Sequence, residues 1–146
     1  MFALRYALGA AALTFSVMGC SSEPAVTLSA PDTWSQVQAS KVTLIDIRRP
    51  DEWKQTGVAK GALEINMLHP QGPQGFVRQV EAEVGGDRNA PIVLICRTGN
   101  RTTHMQKVLT DAGFTQVSHV KEGMVGSSAG PGWIARGLPI EACKTC

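Results

Sequence analysis

The chain has 146 residues, 43% of them apolar and 18% charged, with a formal net charge of +2. That length supports one domain with a real core and is short for two. The near-neutral balance, with no basic run and no interleaved aromatics, excludes a nucleic-acid binder, and no His/Cys cluster is spaced like a closed zinc site.

In chain order, residues 1–19 read as a secretory leader: Arg5 in a short basic head, then an uncharged apolar stretch from Tyr6 to Met18 that is too short to span a bilayer. Val17-Met18-Gly19-Cys20 resembles a bacterial lipobox, which makes Cys20 the expected lipidation site. Plain secretion and an uncleaved anchor are the alternatives, and each of them exports the domain. The expected location is the periplasmic side of the cell envelope, with a lipid anchor as the only membrane contact. Residues 20–25 form a tether, 26–140 the folded domain and 141–146 a tail carrying a CxxC.

Ser29-Ala30-Pro31-Asp32 looks like a helix start, with Trp34 and Val37 on one face and Lys41 at the exit. Val42 to Ile47 is an apolar, β-branched run, short enough to be a strand buried on both faces. A brief helix from Pro50 carries Trp53, and Ala62 to Met67 is a weaker strand. Phe76, Val77, Val80 and Val84 mark a helix over 74–84, ended by Gly85-Gly86. Ile92 to Ile95 is a second buried strand, Met105, Val108, Leu109 and Ala112 line a helix that stops at Gly113, and a further strand runs over 116–120. Gly123 to Gly132 is a loop without a phosphate-binding pattern, so no cofactor is expected. Trp133 to Arg136 forms a short helix capped by Gly137. Strands and helices alternate throughout, the pattern of a single α/β domain with a mostly parallel sheet and helices on both faces.

The segment Cys96-Arg97-Thr98-Gly99-Asn100-Arg101-Thr102 joins the second buried strand to its helix. In an open α/β sheet this puts Cys96 at the carboxyl end of a strand, where ligands bind, facing backbone N–H groups and a helix N-terminus. A free cysteine titrates near pH ~8.5, and helix N-termini or a neighbouring Arg lower that by one to several units, so the loop suits a nucleophilic thiolate. The bland alternative is a buried structural cysteine, which has no use for a Gly-bearing loop with two arginines.

Three blocks resemble the rhodanese family of sulfurtransferases: Leu44 to Trp53 with Gly61-Ala62, the loop Cys96 to Thr102, and Glu122-Gly123-Met124 continuing to Trp133 and Gly137-Leu138-Pro139-Ile140. The resemblance implies a five-stranded parallel sheet with helices on both sides. One departure is Gly57-Val58 where the first block usually has Gly-His, so nothing resting on that histidine carries over. The chemistry expected is attack by Cys96 on the outer sulfur of a small anionic donor such as thiosulfate, then transfer of that sulfur to a thiol or cyanide. Amides of residues 97–102 would hold the persulfide anion, with Gly99 turning the backbone inward and Arg101, less firmly Arg97, supplying charge. For Arg101, a structural ion pair to an acid of the first block is an equal alternative. No metal and no cofactor are needed, and a monomer is expected.

Two other classes stand beside this one. Cysteine phosphatases and arsenate reductases also use a Cys-initiated loop ending in Arg, but the four residues between Cys96 and Arg101 make a tighter ring than the phosphatases' five. A non-catalytic sulfur-carrier or scaffolding module is the third class. Cys143-Lys144-Thr145-Cys146 has a local disulfide as its default state in an oxidising compartment, either pinning the tail, relaying sulfur from Cys96, or docking a thioredoxin-like partner. His69, His104 and His119 are read as surface residues, with only His104 able to lie near the site.

Overall fold

A computed structural model describes residues 26–146. The expected leader, the lipidation site Cys20 and the tether 20–25 lie outside the described residues. Among the described residues no helix is long and apolar enough to cross a membrane.

The apolar runs become strands because they are short, β-branched and bounded by polar residues. Strands β1 (Thr27–Leu28), β2 (Thr43–Asp46), β4 (Leu63–Glu64), β5 (Ile92–Ile95) and β6 (Val117–Val120) form a five-stranded sheet in the order β1-β6-β5-β2-β4. Every pairing in it is parallel. The α/β reading therefore holds, with the sheet wholly rather than mostly parallel. Strands β3 (Val58–Ala59) and β7 (Ile140–Glu141) form a separate antiparallel pair, which puts Glu141 in a strand.

Alternation along the strands sends side chains into two cores. On one face Ile45, Ile47, Ile92, Leu94 and Cys96 pack against Phe76, Val77 and Val80 of α3 (Gly72–Glu83) and Met105 and Leu109 of α4 (Asn100–Asp111). On the other, Leu44, Val93 and Ile95 pack against Ala30, Trp34 and Val37 of α1 (Ala30–Gln38) and Trp133 of α5 (Gly132–Ala135). Residues 92–95 are each at most 1% exposed. At about 1.5–3 kcal/mol per buried large aliphatic, β5 is a stiff platform for the loop that follows it, and an Asp at Leu94 would break it.

Helix starts follow the expected chemistry in one case and depart from it in another. Ser29 caps α1, its Oγ accepting from Asp32 N–H and donating to the Asp32 carboxylate. Helix α2 (Pro50–Thr56) starts at Arg49, whose backbone N–H donates to Glu52 Oε2 at 3.1 Å. Its position is fixed by a buried pair: Arg48 Nε and Nη2 donate to Asp46 at 2.9 and 2.7 Å, and Nη2 also reaches Gly57 O at 2.8 Å. Both side chains are essentially sealed from water, so the pair survives only because nearly every polar atom is matched.

Candidate active site

The loop after β5 is held by backbone contacts. Met124 N–H donates to Cys96 O at 2.9 Å and Val125 N–H to Arg97 O at 3.0 Å. Gly123, at φ +67°, sits so close to the Arg97 carbonyl that no Cβ fits. Gly99, at φ +87°, lies against the Lys121 carbonyl in the same way. These two positions need glycine for both conformation and space. The third block of sequence thus acts as a clamp on the second.

Within this clamp Gly99 N–H donates to Cys96 Sγ at 3.2 Å, and Thr102 Oγ1 stands 3.9 Å from the same sulfur. Residues Asn100, Arg101 and Thr102 make the first turn of α4, so their N–H groups have no acceptor within the helix. The sulfur is deeply seated, with Cys96 only 1% exposed and packed with the Ile47–Met105 core.

The other expected loop residues divide. Arg101 is committed to Glu52: its Nη1 and Nη2 each donate to a Glu52 oxygen at 2.6 Å. This bidentate pair holds the Glu52 carboxyl at about 2, well below its ordinary 4.5, with the Arg101 hydrogen bond the largest cause and burial opposing it. The structural pair weighed for Arg101 is therefore present, and its partner is an acid of the first block. Arg97 is exposed and borders a cleft of about 100 Å³ with Arg48, Glu52, Gln55, Thr56 and Val125. Thr98 is half-buried and Asn100 exposed. Cys143 and Cys146 are joined in a disulfide, with Cys143 Sγ beside Glu64 of the edge strand β4. Among the described residues no group of His, Cys, Asp and Glu could hold a metal ion.

His119 corrects the sequence reading. It is not a surface residue but 2% exposed, and it meets Thr102 Oγ1 through Nδ1 at 2.8 Å. The single Thr102 hydroxyl proton goes to Gly99 O, at 2.7 Å, which can only accept. Nδ1 must then be the donor. Burial, with the Lys121 charge adding to it, pushes His119 below its ordinary value of 6.5 and favours this neutral ring. His104, the histidine expected nearest the site, is exposed. The signal for His119 lay in strand alternation, which places it on the same face as Val117, toward α4.

A cysteine at a strand–helix junction, cupped by main-chain groups at the carboxyl edge of a parallel sheet, places the chain in the class of α/β domains that carry their site at that edge. The comparisons narrow the class. The chain matches the rhodanese-like domain over residues 29–129 and belongs to that family. Among solved structures it is similar to the polysulfide-sulfur transferase homodimer of Wolinella succinogenes, at 27% identity and TM-score 0.61, covering 83% of this chain and 81% of that one. It is also similar to a Rhodopseudomonas palustris protein named as a possible tyrosine phosphatase, at 29% identity and TM-score 0.60, covering 80% and 85%. A rhodanese-like domain from Anabaena, at 21% identity and TM-score 0.61 over 83% and 80%, shares the fold. No curated protein matches the chain.

Proposed function

We propose that this protein is a sulfurtransferase that carries sulfane sulfur as a persulfide on Cys96. The thiolate attacks the outer sulfur of a small anionic donor such as thiosulfate; the donor's S–S bond breaks and sulfite leaves with the electron pair. An acceptor thiolate or cyanide then attacks the outer sulfur of the persulfide, and Cys96 leaves as thiolate. The likeness to the Wolinella polysulfide-sulfur transferase adds polysulfide to the candidate donors. The observation that carries the reading is the Gly99 N–H on Cys96 Sγ at the head of α4, in a loop whose shape is set by its own backbone. Exposed Arg97 is the cation available to the donor, since Arg101 is committed to Glu52. With residues 1–19 read as a leader, the setting proposed for the reaction is the cell envelope.

The deep seating of Cys96 favours a second reading, a sulfur-binding or scaffolding module that does not turn over. One experiment separates the two. Purified protein incubated with thiosulfate is weighed by mass spectrometry, and a sulfur atom gained by wild type and not by Cys96→Ser, then lost to added cyanide, is expected. Absence of the gain leaves the scaffold. Hydrolysis of an aryl phosphate without sulfur uptake moves the protein to phosphatase chemistry, in line with the Rhodopseudomonas protein named as a possible tyrosine phosphatase.

A further inference from the structure

Resting on the persulfide chemistry above, we infer that Cys143 and Cys146 are the built-in acceptor for Cys96: a dithiol that takes the sulfane sulfur, releases it as sulfide and closes to the disulfide.

The disulfide has little structural reason to exist. The stabilisation from a crosslink is smallest for the shortest loops, and these cysteines are separated by only three positions. The segment is already fixed without it. Strand β7 pairs with β3, Lys144 N–H and Thr145 N–H each donate to Glu64 at 2.8 Å, the Thr145 hydroxyl bonds the same carboxylate, and Lys144 Nζ pairs with Glu141.

Its placement, by contrast, is informative. Glu64 closes β4, and its register partner Asp46 is also the partner of Ile95, the residue before Cys96. With strands about 4.8 Å apart, Glu64 lies roughly 10 Å across the carboxyl edge from Ile95. Cys143 Sγ is 3.2 Å from Glu64 Oε2, and Cys146 Sγ is 3.4 Å from Pro50 O in the first turn of α2. That same turn carries Glu52, which holds Arg101 of the Cys96 loop. Cys146 is exposed, and when the bonds from residues 144–145 to Glu64 open it hangs five residues beyond Glu141, its last strand anchor, a chain length that spans up to about 17 Å. Once the disulfide is reduced, Cys146 is thus within reach of the Cys96 loop. Tethering makes the encounter intramolecular, with effective concentrations on the order of millimolar.

The steps balance. The Cys146 thiolate attacks the outer sulfur of the Cys96 persulfide, and Cys96 departs as thiolate. Cys143 then attacks Sγ of the Cys146 persulfide; the S–S bond breaks, the Cys143–Cys146 disulfide forms, and the Cys143 thiol proton departs with the outer sulfur as HS⁻. The sulfane sulfur gains two electrons and the dithiol loses two. An external dithiol protein restores the pair, with access through the cleft of about 340 Å³ that Cys143 shares with Trp53 and Ile140.

The test is a single turnover. Full-length protein is reduced, desalted without oxygen, given one equivalent of thiosulfate and followed by sulfide release and peptide mapping. Wild type should release about one sulfide per chain and end with the disulfide closed. Cys146→Ser should keep the sulfur on Cys96, and Cys143→Ser should strand it on Cys146. With the thiosulfate concentration held fixed, the first-order rate constant for sulfide release should not change on tenfold dilution of the protein. A Cys96 persulfide that lasts as long in reduced wild type as in the Cys143→Ser/Cys146→Ser double variant overturns the relay, as does a rate constant that falls with dilution or sulfide release from Cys96→Ser. If the double variant itself takes up no sulfur, the sulfurtransferase reading falls together with the relay.

Discussion

Glu52→Gln isolates the interaction that braces the Cys96 loop. The substitution keeps the shape of the side chain and the backbone cap at Arg49 but removes the charge that both Arg101 nitrogens meet at 2.6 Å. Folding lowers the Glu52 carboxyl from 4.5 to about 2. A carboxylate lowered in the fold stabilises it fully above the unfolded value and loses that contribution as pH falls through the folded one. At about 1.36 kcal/mol per pH unit, the ceiling at pH 7 is about 3 kcal/mol. Arg101 keeps 29% of its side chain in water, so solvent takes up part of the loss and about 2–3 kcal/mol is expected. At pH 3 the wild-type carboxylate is partly protonated, and the same linkage leaves roughly half of that difference. Urea unfolding of wild type and variant at pH 7 and pH 3 measures both. Equal stability at pH 7 would refute the reasoning, and so would a gap that does not narrow in acid, because the pair would then contribute nothing that depends on charge.

Other residues make comparably sharp claims. Gly99→Ala should lower stability by about 2 kcal/mol or more, through left-handed strain and collision with the Lys121 carbonyl, and should stop sulfur uptake at Cys96; a thermal melt and mass spectrometry read the two effects. His119 is favoured neutral in the fold, so its contribution is present above pH 6.5 and lost as pH falls from there through its lowered folded value. Urea midpoints taken between pH 7.5 and 5 should fall in wild type and lose that part of the slope in His119→Gln. Glu122 accepts from Ala30 N–H at 2.8 Å, Gly132 N–H at 2.9 Å and Arg136 Nε at 2.8 Å. In Glu122→Gln the amide NH₂ faces donors in a site that is 2% exposed, and a loss of about 3 kcal/mol in urea unfolding is expected.

How much of this was legible in the sequence depends on the range of the interaction involved. The runs Val42 to Ile47 and Ile92 to Ile95 announce central strands because burial on both faces demands continuous apolar residues. The Ser29 cap and the glycine stops at Gly85 and Gly113 are likewise local chemistry. Strands β1, β3 and β7 have two residues each, and their pairing is decided by partners far along the chain: Thr27 meets His119, and Val58 meets Glu141. No local pattern marks them. In the site, the Cys96 loop could be read directly, because strand, glycine and helix follow one another. The alternative role of Arg101 was visible as a type of contact, an acid of the first block, but its choice of Glu52 needed the folded chain. His119 was misread because an isolated histidine in a short strand looks solvated, although period-two alternation aims it at α4. The anchoring of residues 144–145 by Glu64 joins positions about 80 apart, beyond any local signal.

One consequence concerns how such a loop can change its ligand without losing its shape. Its form comes from main-chain bonds to Met124 and Val125 and from the bare backbones of Gly99 and Gly123, none of which involves the side chains of Arg97, Thr98 or Asn100. The side chains that do brace it are Arg101, through Glu52, and Thr102, through His119. Substitutions at 97 and 100, both exposed, should therefore alter the charge offered to an incoming anion while leaving the Gly99 N–H on the sulfur. Arg97→Glu puts this to the test: the KM for thiosulfate should rise several-fold with kcat and melting temperature held. A collapse of kcat or of stability instead would show that the Arg97 side chain helps to shape the loop, and that its form is not a property of the backbone alone.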